Sequence, residues 1–348
     1  MALWGVSLSI DGLLREAGPV AMIHKLSIRN FKSIRELDLD CRRVNVFIGE
    51  PNAGKTNILE GLGLWCPAVH DKLHRVCRAN FVAELFFDQN PVPDIEIELD
   101  GTRLGLVKTE QGALLGILED HLDGIADPVH LEENLEAISP SFRHESHGPV
   151  VKYYLYNPEV ALDEGSGGSL SAPFGRNLPS LLASNRAARQ TASDYFSSSR
   201  YRLTIDVGKK QLLMSREEDA AVVSFPYSAM SETLRRMVFY HLALQTNHNS
   251  VLAFDEPEAH SYPPYTKTLA ETIAQDEKGN QFFLTTHSPY LLTSLIAKTP
   301  VKDLNVVLCR MENFETKGYV MDDDQKQQLM EWDMSAFFNF DRLLPEIE

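Results

Sequence analysis

The sequence predicts an α/β fold organised around a mainly parallel sheet, and three observations carry that prediction. A short β-branched and aromatic run, Val44-Asn45-Val46-Phe47-Ile48, leads into a glycine-bounded loop and then a helical pattern. The last third of the chain alternates apolar strands with helices, the order that builds a parallel sheet. The apolar strands there end abruptly in residues able to do chemistry, at the sheet edge where ligands bind.

Along the chain, Ile23, Leu26 and Ile28, then Leu37 and Leu39, read as strands joined across a polar connection from Arg29 to Arg35. The buried strand at 44–48 follows, and a helix is expected over 57–65 with Leu59 and Leu62 on its apolar face. Ile95, Ile97 and Leu99 alternate with acids, turn at Asp100-Gly101 and resume at Leu104 and Leu106, a hairpin signature. Residues 201–214 repeat it, turning near Gly208-Lys209-Lys210. Between the hairpins the periodicity is weak and includes the Gly/Ser-rich stretch 164–169, so 112–200 reads as an inserted lobe. Helices are then expected at 231–243, around 265–273 and at 289–296, with strands at 251–254 and 282–286.

Composition narrows the function. The 348 residues hold 33 Lys or Arg against 49 Asp or Glu, a formal net charge of −16. A general electrostatic grip on nucleic acid or anionic lipid is therefore disfavoured, and any DNA contact would need a local basic patch. No run approaches the ~20 uncharged apolar residues that span a bilayer, so no membrane partner is expected. Four cysteines in a chain this long form no disulfide framework, which fits a reducing, cytoplasmic setting. Residues 1–21 lack a basic leader, are broken by Asp11, Arg15 and Glu16, and read as a tail before Met22.

The segment Gly49-Glu50-Pro51-Asn52-Ala53-Gly54-Lys55-Thr56 fits G-x-x-x-x-G-K-[ST], with a strand before it and a helix, opening near Asn57, after it. Gly49 and Gly54 permit backbone angles that let successive N–H groups face phosphate oxygens, and the helix N-terminus adds its partial positive charge. Lys55 supplies a full charge to the β- and γ-phosphates, and the Thr56 hydroxyl can ligate Mg²⁺. The plain alternative is a glycine-rich turn carrying an exposed lysine.

At the end of the strand 251–254, Asp255 and Glu256 stand side by side. Adjacent carboxylates repel unless a cation relieves them, which suits Asp255 as a metal holder and Glu256 as the group polarising an attacking water. A solvated acidic turn is the alternative. His287 leaves the end of the next strand, placed to donate to a γ-phosphate or position water, and Pro289 opens a helix behind it. One nucleotide pocket accounts for all three strand ends.

These residues resemble the ABC-type ATPase heads of the RecF, SMC and OLD group of P-loop NTPases. Walker A matches Gly49 to Thr56, Walker B Leu252 to Glu256, a D-loop-like segment Glu258-Ala259-His260, and the switch histidine His287; Ile28 to Ser33 is similar to the group's first strand and its exit. The resemblance covers most of 22–110 and 201–310. It implies an ABC-ATPase-like head with a mixed-sheet lobe: a tail at 1–21, a Walker A lobe at 22–111, an inserted α-rich lobe at 112–200, and a lobe at 201–348 holding the signature-like helix, Walker B and the histidine. It implies ATP and Mg²⁺ as ligands, with Gly49, Asn52, Ala53, Gly54, Lys55, Thr56 and Asn57 around the nucleotide, Thr56 and Asp255 on the metal, and Glu256 and His287 as catalytic groups. It also implies an ATP-dependent homodimer, with Ser231 of one subunit's signature loop facing the other's nucleotide.

The candidate signature, Ser228 to Arg236, departs from the group's serine-glycine-glycine core, because Glu232 stands where glycine is typical. A plain helix N-terminus with an early acid is the alternative. Gln89 is the best position for a glutamine loop. OLD nucleases carry a Toprim domain after the ATPase, and no second acidic cluster follows Asp322-Asp323-Asp324 here. The resemblance thus implies an ATPase without its own nuclease, driving or gating a separate nuclease or toxin effector in DNA repair or anti-phage defence. A slow ATP-gated scaffold is the alternative, and a transporter's nucleotide-binding subunit a more distant one.

Other clusters carry less. Cys66, His70, His74 and Cys77 have zinc chemistry, but four ligands on one straight helix cannot surround a tetrahedral ion. Lys72, Arg75 and Arg78, with Arg186 and Arg189, offer a phosphate patch or an ordinary solvated surface. Trp332, Phe337, Phe338, Phe340, Leu343 and Leu344 are expected to dock on the ATPase lobe or to face a partner.

Overall fold

The computed structural model describes residues 22–66, 73–110, 112, 114–120, 124–125, 129–131, 151–163, 168–196, 200–206, 209, 211–219 and 221–332. The expectations for 1–21, 164–167, His70, Lys72, Gly208, Lys210 and 333–348 fall outside these residues, as do the side chains of His74 and Arg75.

The chain opens with β1 (Lys25–Phe31), β2 (Ile34–Asp40) and β3 (Val44–Ile48), followed by α1 (Lys55–Gly63) and a single turn, α2 (Leu73–Val76). The turn between β1 and β2 is only Lys32-Ser33, shorter than the expected polar connection, because Phe31 and Ile34 are both buried and pair directly. Helix α1 begins two residues earlier than expected. Gly54 is its left-handed N-cap, so the phosphate loop turns straight into helix. The hairpin forms as predicted, from β4 (Ile95–Leu99) and β5 (Thr102–Lys108), with Asp100 and Gly101 both at positive φ.

The middle of the chain supplies β6 (Leu114–Asp120), β7 (Gly124–Ile125), β8 (Val129–Leu131), β9 (Val151–Tyr154), α3 (Leu178–Ser184) and α4 (Arg186–Asp194). The described parts of this stretch join both sheets. Strand β6 extends the N-terminal sheet beside β5, β9 is an edge strand of the central sheet beside β13, and α4 packs on α5. The reason is burial: Val151, Tyr153 and Tyr154 are fully enclosed, and Leu178, Leu181, Leu182, Ala188 and Ala192 complete the second core.

The remainder comprises the meander β10 (Arg202–Asp206), β11 (Gln211–Glu218) and β12 (Ala221–Pro226), then α5 (Glu232–Thr246), β13 (Val251–Phe254), α6 (Pro263–Ala274), β14 (Gln281–Thr285), α7 (Pro289–Lys298), β15 (Leu304–Glu312), β16 (Glu315–Val320) and α8 (Asp323–Trp332). The central sheet has the order β16-β15-β3-β14-β13-β9, parallel throughout except where β16 returns antiparallel along β15. The antiparallel N-terminal sheet runs β2-β1-β4-β5-β6-β7, with β8 also on β6. Helix α1 lies in the core shared by that sheet and one face of the central sheet; α5, α6 and α7 cover the other face. Strand β3 is therefore buried on both sides, Phe47 in one core and Val44, Val46 and Ile48 in the other, which is why it reads as an apolar run interrupted by a single polar residue, Asn45. Among the described residues no helix is long and apolar enough to cross a membrane.

Candidate functional site

Sheet order builds the site. Strand β14 lies between β3 and β13, with Phe47 opposite Thr285 and Phe254 opposite Leu284. The carboxyl ends of three neighbouring parallel strands therefore release the phosphate loop, the Asp255-Glu256 pair and His287 at one edge.

The loop's glycines are required by space as well as by torsion. Gly49 has φ +143°, and a Cβ there would lie 2.2 Å from the Cys309 carbonyl oxygen; Gly54 has φ +82°, and its Cβ would lie 1.8 Å from Thr316 Oγ1. Asn52 also adopts positive φ, and Ala53 is buried beneath the loop. Lys55 is buried, and its ammonium donates to the carbonyls of Gly49 at 2.9 Å and Glu50 at 2.7 Å. Burial lowers its pKa, opposed by nearby Cys309, Glu256, Asp255 and Glu50. Asn57 donates to Ser33 Oγ at 2.7 Å, and Ser33 Oγ lies 2.6 Å from Thr316 Oγ1. The β1–β2 turn and β16 thus prop the loop from outside, a support that sequence reasoning missed.

On the acidic side, Asp255 Oδ1 accepts from Thr56 Oγ1 at 3.0 Å and from Thr285 Oγ1 at 2.6 Å. The site thereby joins residues 199 positions apart. Glu256 has a left-handed φ of +43°. Its N–H donates to Thr285 Oγ1 at 3.0 Å and its carbonyl accepts from Arg236 at 2.7 Å, while its half-exposed carboxylate lies 3.3 Å from His287 Nε2. Burial and the Lys55 ammonium hold the His287 pKa below its ordinary value, outweighing Glu256 and Asp255, so the imidazole is neutral at pH 7.

Glu258, named from sequence only as the start of a D-loop-like segment, is a buried tie between two strand ends. Its Oε1 accepts from Thr286 Oγ1 at 2.5 Å and from the His287 N–H at 3.2 Å, and its Oε2 has no partner. Burial raises its pKa to about 7. Thr285 and Thr286 were not foreseen either; the available signal was a Thr-Thr pair closing an apolar strand.

Ser231 caps α5, accepting from the Leu234 N–H at 3.4 Å, and Glu232 is exposed on the first turn. Thr233 donates to the His260 carbonyl at 2.7 Å, tying the signature-like loop to the D-loop-like one. Among the described residues no hydrogen bond joins Ser231 to its own chain's phosphate loop. Gln89 is exposed in a one-turn helix over Phe87–Gln89.

The remaining clusters resolve into structure. Of the proposed patch, Arg78 donates to Glu60 Oε1 at 2.7 Å, beside the Lys32–Glu60 Oε2 pair, and Arg189 donates to the Leu182 and Ala183 carbonyls, while Arg186 is exposed. Cys66 and Cys77 are buried, and burial drives the Cys77 thiol pKa up. Asp322 and Gln325 form a reciprocal capping box at the start of α8, at 2.8 and 2.9 Å, which gives the acidic run a structural role.

The donor set fits a Mg²⁺-bound nucleoside triphosphate: a cradle in which no Cβ fits at either end, a buried ammonium, and a hydroxyl–carboxylate pair with Asp255 Oδ2 beside it. The fold is that of an ABC-type P-loop head, and the site's geometry is compatible with it. The family comparisons agree. Residues 22–95 match the AAA ATPase domain family, and residues 213–293 match the family described as "AAA domain, putative AbiEii toxin, Type IV TA system". The two matches contain the phosphate loop and the Asp255, Glu256 and His287 edge respectively, so the chain carries AAA-type ATPase segments of the RecF/SMC/OLD-like kind. No curated protein matches the chain.

Among solved structures, an SMC head bound to the C-terminal winged-helix domain of ScpA is 14% identical with a TM-score of 0.52, over 88% of this chain and 99% of that one. The SMC head domain from Thermotoga maritima is 12% identical with a TM-score of 0.44, over 87% and 100%. An SMC head with an extended coiled coil, bound to the ScpA C-terminal domain from Pyrococcus furiosus, is 12% identical with a TM-score of 0.49, over 89% and 98%. The first of these shows a shared SMC-head fold.

Proposed function

We propose that the chain binds ATP with Mg²⁺ and hydrolyses it as an ATP-dependent homodimer. The observation carrying this reading is the convergence of Lys55, Thr56, Asp255, Glu256 and His287 on one sheet edge through the β3-β14-β13 order. Amides of Gly49 and of Asn52 to Asn57 hold the phosphates, and Lys55 exchanges its two loop carbonyls for phosphate oxygens. Thr56 and Asp255 hold Mg²⁺, whose charge would offset that of the phosphates. Glu256 accepts the proton of the attacking water, and neutral His287, 3.3 Å away, donates to the γ-phosphate or orients that water.

Equilibrium binding and steady-state turnover test this. Lys55→Ala should lose nucleotide affinity, whereas Glu256→Gln should keep it and turn over ~10²- to 10⁴-fold more slowly. Unchanged affinity in the first variant removes the pocket, and near-normal turnover in the second removes Glu256 as the base.

The Ser231 cap and its link through Thr233 to His260 support a trans role for the α5 N-terminus. Glu232 on the same turn favours a second reading, an ATP-gated scaffold with little turnover, because a carboxylate beside a triphosphate is unfavourable. A steep rise in turnover per subunit with concentration supports the enzyme, and tight ATP binding with negligible turnover supports the scaffold. Resemblance to the AbiEii-described family favours a cytoplasmic role in defence, with a separate toxin or nuclease as effector; DNA repair is the neighbouring reading.

A further inference from the structure

The turn that carries His287 from β14 into α7 is anchored on both sides of that residue. Thr286 is fully buried; its N–H donates to the Phe47 carbonyl at 3.1 Å, and its Oγ1 accepts from the Ser288 N–H at 2.9 Å. Ser288 in turn caps α7, accepting from the Leu291 N–H at 3.3 Å. Between these anchors, the Thr286 hydroxyl and the His287 N–H both donate to a single oxygen, Glu258 Oε1.

Glu258 presents that oxygen from a segment that is itself held. The Ala259 N–H donates to the Glu256 carbonyl at 3.0 Å, and the Ser261 N–H to the Glu258 carbonyl at 2.9 Å. His260 has φ +57°, and Thr233 of α5 donates to its carbonyl at 2.7 Å. The segment starts at Glu256, whose carboxylate lies 3.3 Å from His287 Nε2. Glu256 and His287 are thus joined twice, once between their side chains and once, two residues on, from the Glu258 carboxyl to the His287 backbone.

One oxygen with two acceptor lone pairs restrains two neighbouring residues together, so the chain at His287 cannot turn without breaking one of the bonds. We propose that Glu258 is a positioning residue: by holding the Thr286 hydroxyl and the His287 N–H on one oxygen, it fixes the backbone from which the imidazole reaches Glu256. This deepens the ATPase reading, and its consequence for turnover rests on that reading. A displacement of ~1 Å in a group that orients water or phosphate is enough to cost up to ~10²-fold in rate.

Glu258→Gln and Glu258→Leu, compared in the full chain, test the proposal. Both remove the charge and only glutamine keeps an acceptor, so the difference between them reports the hydrogen bonds. The first readout needs no nucleotide: the imidazole resonances of His287 in protein with isotope-labelled histidines, assigned by their loss in His287→Asn. In the parent and in Glu258→Gln the ring should titrate below the ordinary histidine value, where burial and Lys55 hold it against Glu256 and Asp255. In Glu258→Leu and in Thr286→Val the midpoint should rise toward ~6.5 as the ring leaves that environment. Valine keeps the β-branched shape of Thr286, so the test survives if the leucine variant fails to fold.

The second readout is steady-state turnover. Glu258→Leu and Thr286→Val should lower kcat ~10-fold or more while nucleotide affinity stays within about twofold, and Glu258→Gln should recover most of that loss. Combining Glu258→Leu with Thr286→Val should cost little beyond either alone, because both break the same contact. A His287 midpoint unmoved by Glu258→Leu and Thr286→Val, or a glutamine variant that behaves like the leucine one, overturns the proposal. Absence of turnover in the parent would instead remove the ATPase reading, and the imidazole midpoints would still decide whether Glu258 sets the histidine's place.

Discussion

Glu258 offers a direct test of how the strand ends are joined. Its carboxyl is buried, with one oxygen bonded to Thr286 and the His287 N–H and the other bare, and its pKa rises from 4.5 to about 7. In the unfolded chain the proton leaves near the ordinary value, and in the folded chain near the raised one. Between those values the folded state holds the extra proton, so this group's contribution to stability is full below the lower value and is lost as pH rises through the window. The difference of about 2.5 units, at ~1.4 kcal/mol each, amounts to about 3 kcal/mol. Glu258→Gln mimics the neutral acid and cannot ionise. Its stability relative to the parent should therefore climb by up to about 3 kcal/mol between pH 5 and 7, then level off. Denaturant unfolding of both proteins at matched ionic strength, in half-unit pH steps, measures that difference and cancels titrations common to both. A difference independent of pH would show that Glu258 is solvated and that burial does not govern its charge.

Two further outcomes follow from packing. Gly54→Ala should destabilise the fold by more than the roughly 1–2 kcal/mol cost of a left-handed alanine, because Thr316 Oγ1 occupies the Cβ position, whereas Gly168→Ala, with nothing within 4 Å, should be near neutral in the same thermal melts. Lys32→Met should cost about 3–5 kcal/mol by leaving the fully buried Glu60 with Arg78 as its remaining partner, and pairing it with Glu60→Leu should recover most of that loss in denaturant titrations.

The parts of the fold legible in the sequence are those whose local pattern and burial coincide. Strands β3, β13 and β14 are enclosed on both faces and so are mostly apolar, and the β4–β5 turn uses Asp-Gly, which accepts positive φ. Strand β9 was hidden because Lys152 interrupts it; the strand tolerates that lysine by pairing its ammonium with Asn247. The β15–β16 hairpin was hidden because its turn is Asn313-Phe314, with both residues at positive φ, where glycine would have given the signal. At the site, the charged and glycine positions were readable from chemistry and spacing. Ser33, Thr285, Thr286 and Thr316 were not, since an isolated hydroxyl has no address until sheet order brings it to Asp255, Glu258 or the phosphate loop.

The adjacent acids show why that order matters. Side by side in sequence, Asp255 and Glu256 invite the argument that only a cation could relieve them. In the structure their backbone does part of that work. The left-handed φ of Glu256 turns the chain between them, so that Asp255 meets Thr56 and Thr285 while the Glu256 carboxylate lies beside His287. A non-glycine residue in that region costs of order 1–3 kcal/mol and persists only where its surroundings hold it. Here Arg236 grips the Glu256 carbonyl and Thr285 receives its N–H, so helix α5 and strand β14 fix the torsion from opposite sides. The separation of the carboxylate proposed to bind metal from the one proposed to activate water is thus set by two neighbouring elements, and Arg236 belongs to the candidate site as firmly as the residues proposed to hold the phosphates.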